Sequence, residues 1–145
     1  MAKEIIQAKP LNIIDIIKEY GCPDYLKCDI EGSDIILLNQ LKQSDFRPDY
    51  ISCESECIGN RDINLDEDED LIVLNALHDL GYDNFILVNQ SNNHINETNI
   101  ILPDFSFSGL ENMWIDYLSM KNLIRSIDRK KYRKFGFWFD IIAKK

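Results

Sequence analysis

The alternation of helix-spaced and strand-spaced apolar runs constrains this chain more than any other feature. Residues 11–20 carry Ile13, Ile16, Ile17 and Tyr20 at helical spacing, Gly21 stands where a helix C′ residue belongs, and Pro23 bars continuation. Residues 25–30 read as a strand. Ser33 or Gly32 can cap a helix over 35–42, and a second strand covers 49–54. The apolar run 71–80, closed by Gly81, predicts a third helix, and 84–89 a third strand. Trp114, Tyr117, Leu118, Leu123, Ile124 and Ile127 form a further helix-spaced stripe. Residues 136–143, aromatic and β-branched, read as the last strand. Helices alternating with strands predict βαβ units, and so an α/β fold with a mostly parallel sheet flanked by helices. With no repeat and no Gly/Ser linker, residues 1–145 read as one domain.

Composition narrows the function classes. The formal net charge is -9, a poor match to nucleic acid, whose affinity rests on Lys and Arg neutralising phosphates. No apolar run is long enough to cross a membrane and the first residues lack an apolar signal core, so a cytoplasmic location is expected. Charge is nevertheless segregated. Asp62 to Asp70 is acidic and suits a helix start, whereas Lys121 to Lys134 is basic and is either a solvated face or a surface for an anionic partner. An EF-hand loop starting at Asp62 fails, because Glu67 occupies the glycine position and Val73 the closing glutamate position. Cys22, Cys28, Cys53 and Cys57 lack paired C-x2-C spacing, so reduced thiols are expected, with Cys28 and Cys53 buried as small hydrophobes and no metal site.

Ligands of open α/β sheets bind outside the carboxyl ends of the strands. The first strand ends in Asp29-Ile30-Glu31-Gly32 and the second in Glu54, with Glu56 beyond it. Lys27 and Asp29 are unexpected in a parallel strand, which is usually apolar on both faces. Either this strand is an exposed edge, or Asp29 and Glu31 face a cleft with Glu54. Such a cleft could hold substrate hydroxyls, accept a proton or bind a cation. No G-x-S-x-G, H-E-x-x-H or P-loop occurs, and the six glycines are all isolated, so no glycine turn for a nucleotide-like cofactor follows any strand.

Four segments resemble a known family. Residues 23–34 (PDYLKCDIEGSD) resemble the Lys-x-Asp-(Ile/Val)-Glu-Gly-x-(Asp/Glu) motif of FkbM-type methyltransferases, and 47–54 (RPDYISCE) resemble their next strand, which commonly ends in Glu. Residues 77–90 are similar to a Leu-Gly-Tyr…Phe…Val-Asn-Gln segment of one branch, and 138–143 to its closing Trp-Phe-Asp-x-His-Ala. The resemblance implies the carboxyl-terminal half of a Rossmann-like class I methyltransferase sheet with one antiparallel strand near its edge. It implies S-adenosylmethionine as cofactor and a hydroxyl of a sugar or small metabolite as acceptor. Asp29 and Glu31 would be catalytic, either serving as general base if burial raises its pKa, and Glu54 and Gln90 would bind substrate. Two departures stand out: Ile142 replaces the family's His, and the Ser-Gly-Pro-Phe-Gly-like loop is eroded to residues 106–112 (SFSGLEN). The alternative expectation is a non-catalytic interaction module that dimerises, or pairs through an exposed sheet edge with a chain carrying the cofactor half.

Overall fold

The computed structural model describes residues 10–30, 33–55, 71–89, 113–127 and 139–145. Within them the order is α1 (Ile13–Tyr20), β1 (Tyr25–Cys28), α2 (Asp34–Lys42), β2 (Tyr50–Ser55), α3 (Ile72–Asp79), β3 (Asn84–Asn89), α4 (Tyr117–Ser126) and β4 (Phe139–Lys144). Among the described residues no helix is long and apolar enough to cross a membrane. Of the earlier expectations, Glu31, Gly32, Glu56, Cys57, Gln90, the acidic run, the segment 106–112 and most of the basic stretch lie outside the described residues.

The four strands form one sheet in the order β1-β2-β4-β3. β1 and β2 are parallel, from Tyr25 opposite Tyr50 to Cys28 opposite Cys53. β4 is antiparallel to both β2 and β3, and places Asp140 opposite Glu54 on one side and Val88 on the other. The expectation of a mostly parallel sheet is therefore corrected to an open mixed sheet with one parallel pair. The reason is position: β1, β2 and β3 share a direction, but the one reversed strand sits between β2 and β3 and makes both of their shared ladders antiparallel. Helical and strand periods in the sequence report element type; they carry nothing about which strand is inserted where.

All four helices cover the same face of the sheet. Leu26, Cys28, Ile51, Cys53, Phe85, Leu87, Phe139, Ile141 and Ala143 point to that face and pack with residues of each helix, such as Ile17, Leu38, Leu74 and Met120. Full burial of a Leu or Phe is worth roughly 1.5–3 kcal/mol, so this layer supplies most of the drive to fold. The opposite face carries the alternate residues. Ile86, Val88 and Ile142 form a small apolar cluster there with Met113 and Trp114.

Local chemistry sets the helix ends. Asn12 caps α1 by accepting from the Ile14 N–H, and Asp116 caps α4 by accepting from Ser119 N–H at 2.8 Å. Gly21 and Gly81 adopt φ of 93° and 91° immediately beyond α1 and α3, a conformation that glycine reaches without the Cβ penalty. Arg47 Nη1 donates to the carbonyls of Leu41, Ser44 and Phe46, and its Nε donates to Leu80 O, so one cation gathers the carbonyls that end α2 and α3. The stripe expected from 114 to 127 holds in part: Tyr117, Ile124 and Ile127 pack on the core with Met120, whereas Leu118 and Leu123 are exposed, and Trp114 precedes the helix, which Asp116 caps, and sits beside Tyr50 on the other face.

Candidate functional site

The shared direction of β1, β2 and β3 brings their carboxyl ends together, with the start of β4 between them. On the face away from the helices the pleat then places Lys27 and Asp29 of β1's line next to Ser52 and Glu54 of β2, and these next to Asp140 of β4. Lys27 reaches across β2 to Asp140, two strands away: its Nζ donates to Asp140 Oδ2 at 2.8 Å and stands 3.6 Å from Asp29 Oδ2. Ser52 Oγ, itself buried, donates to the same Asp140 oxygen at 3.5 Å.

Burial decides the roles. Asp140 is only 3% exposed, and a buried carboxylate is tolerated when a cation and hydrogen bonds compensate it. Lys27 is that cation. Partial burial pulls its pKa down, but the hydrogen bond to Asp140 and the charges of Asp140 and Asp29 outweigh this and hold the ammonium above its usual range. The charged residue that looked out of place in β1 is thus explained by a charged residue in β4. Asp29 is different: half of its side chain is exposed. It remains at the site as an exposed hydrogen-bond acceptor beside Lys27. Glu54 is partly buried and in register with Asp140. The cluster sets Lys27 between Asp140 and Asp29, with Glu54 opposite Asp140, a set suited to hydroxyl groups that donate to carboxylates, with Lys27 as a donor in return.

Of the predicted site residues, the fold brings Asp29 and Glu54 to one end of the sheet. Glu31 and Gln90 lie outside the described residues. Asp140 and Lys27 were missed as site residues. Their signal in the sequence was a charge of opposite sign within each of two largely apolar strands, but nothing local says that the two meet across 113 positions of sequence.

No protein-family model, curated protein or solved structure matches this chain.

Gly32, which follows β1, lies outside the described residues, and neither glycine described at positive φ offers a turn for S-adenosylmethionine. Close approach of backbone to such a cofactor calls for a glycine turn after a strand. The two glycines of positive φ, Gly21 and Gly81, instead close helices and stand at strand starts, away from the carboxyl ends. His78 carries no ligand-holding signal either. Its ring stacks on Tyr117 at 4.0 Å between centroids, and its Nδ1 lies 3.4 Å from Tyr82 O and 3.3 Å from Asp83 Oδ1, contacts that tie α3 to the turn before β3.

Proposed function

We propose that this chain is the acceptor-side half of a FkbM-type methyltransferase domain, binding a hydroxyl of a sugar or small metabolite at the strand-end mouth formed by Asp29, Glu54, Asp140 and Lys27. One observation carries the reading: a compensated buried carboxylate and two accessible ones converge at the carboxyl ends of like-directed strands, where open α/β sheets hold their ligands. The reversed strand next to the sheet edge agrees with the layout that the family resemblance implies. In this reading Asp29 and Glu54 accept hydrogen bonds from the acceptor's hydroxyls, while Asp140 holds Lys27 rigid so that its ammonium orients the same ligand. Because the sequence carries no G-x-G turn, the cofactor belongs in this reading to a complementary half, and β1, at one end of the sheet among the described strands, is where that half would add.

Two measurements test this. Calorimetry and thermal shift with S-adenosylmethionine on the chain alone are expected to show no binding, and methyl transfer to a polyol or sugar is expected only with a glycine-rich cofactor half present. Heat and a thermal shift with the chain alone would overturn the division of labour; lack of any acceptor binding at the mouth would overturn the function. A second reading, a non-catalytic module that pairs through β1, is favoured by the same edge position. It predicts a dimer in size-exclusion chromatography with light scattering, and a monodisperse monomer sinks it.

A further inference from the structure

On the helix-covered face, directly behind the end of β1, three ligand-type side chains meet. Cys28 and Cys53 stand opposite each other in the parallel β1–β2 register, and Asp34, the first residue of α2, closes on them. A sulfur of each thiol and a carboxylate oxygen of Asp34 all lie within 4.8 Å of one another. All three residues are buried, with Asp34 2% exposed. Both oxygens of Asp34 lack a hydrogen-bond partner. An unpaired buried carboxylate is among the costliest groups a core can hold, and two thiol sulfurs lie within 4.8 Å of this one.

We propose that Cys28, Cys53 and Asp34 bind one thiophilic divalent cation of the zinc class, with one coordination position left for a solvent molecule or an exogenous donor. Two thiolates and a carboxylate are a ligand set that selects zinc over the harder magnesium or calcium. Bond lengths of about 2.3 Å to sulfur and about 2.1 Å to oxygen put ligand atoms on a tetrahedral ion roughly 3.5–3.8 Å apart, so the present 4.8 Å limit closes by a shift of about an ångström. Binding of the cation would displace the thiol protons to solvent. Three anionic ligands on a doubly charged ion leave one net negative charge, which the positive N-terminal end of α2 partly offsets. The ion would clamp β1, β2 and the start of α2 together behind Asp29. Spacing in the sequence hides the site, since the two cysteines come from different strands and the aspartate from a helix.

The test uses the full chain, reduced and stripped with a chelator, then titrated with Co2+ followed by Zn2+. The expected result is a near-ultraviolet thiolate-to-cobalt charge-transfer band saturating at one equivalent, bleached by Zn2+, and a higher melting temperature with metal. Cys28→Ser and Cys53→Ser should each weaken the band. The near-isosteric Asp34→Asn keeps both thiols and serves if the core cysteine variants fail to fold. It should retain a band while lowering affinity at least as much as the roughly 10–100-fold typical of losing an outer-shell partner. Cys22→Ser, at an exposed position, should change nothing. No band together with a melting temperature indifferent to chelator and metal overturns the proposal, as does a band that survives unchanged in the Cys28→Ser/Cys53→Ser double variant or an affinity unaffected by Asp34→Asn. None of these readouts depends on methyl transfer, so the site stands or falls separately from the proposed function.

Discussion

Replacing Lys27 by Met keeps most of the aliphatic stem and removes the cation from Asp140. At the observed 2.8 Å, two unit charges attract by about 1.5 kcal/mol in a medium like water and by about 6 kcal/mol at an effective dielectric of 20. Stripping one partner from a fully buried pair costs about 3–5 kcal/mol. Lys27 is not fully buried, however: 42% of its side chain is exposed, so solvent screens part of the interaction. The expected loss is about 2–3 kcal/mol, or a fall in melting temperature of roughly 4–10 °C for a domain of this size. Sign and pH window follow from the raised lysine pKa. The stabilisation is complete below the unfolded-state value of about 10.4 and fades as pH rises through the higher folded value, so the gap between wild type and Lys27→Met should be constant near neutrality and narrow only in strong base. Urea denaturation of wild type, Lys27→Met, Asp140→Asn and the double variant gives the coupling directly, and at least about 1 kcal/mol is expected. Additivity within about 0.5 kcal/mol would falsify the claim that Lys27 compensates Asp140.

Four further outcomes are expected. Gly81→Ala should cost about 1 kcal/mol from its φ of 91° alone, since no atom lies within 4 Å of the added Cβ; a neutral result in thermal melting would mean the turn relaxes freely. Leu77→Ala, at a position with 0% exposure, should lose about 2–5 kcal/mol in denaturant unfolding, and a loss under 1 kcal/mol would show that the helix layer collapses around the cavity. Asp116→Ala removes the cap of α4 and should cost about 1 kcal/mol by the same assay. The hydrogen bond and charge of Lys42, 2.8 Å away, hold the Asp79 carboxyl below its ordinary value, so this carboxylate favours folding above the unfolded-state pKa and that contribution fades as pH falls through the folded value. In an NMR titration Lys42→Met should return Asp79 to the ordinary range, and an unmoved midpoint would refute the pairing.

The sequence by itself determined the elements and their order. Helical spacing, Gly21 and Gly81 as stops, and the β-branched runs around Ile51, Ile86 and Ile141 located the four helices and four strands of the described residues to within a few positions, because period and turn chemistry are local properties. The stripe through Trp114 held at Tyr117, Ile124 and Ile127 but not at Leu118 and Leu123, which the packing leaves exposed, and Asp116 starts the helix after Trp114. The strand-end acids Asp29 and Glu54 were legible too, since topology rules place ligands at carboxyl ends whatever the sheet order. Only the tertiary structure decided the rest. The insertion of β4 between β2 and β3 turned two ladders antiparallel and carried Asp140 to Lys27, while the β1–β2 register set Cys28 beside Cys53 under Asp34. Strand order and register come from which faces bury best against which, a sum over long-range contacts that no window of sequence contains. That is why Lys27, which looked misplaced in β1, and Asp34, which drew no notice ahead of the helix expected over 35–42, are the two side chains on which this protein's candidate chemistry now turns.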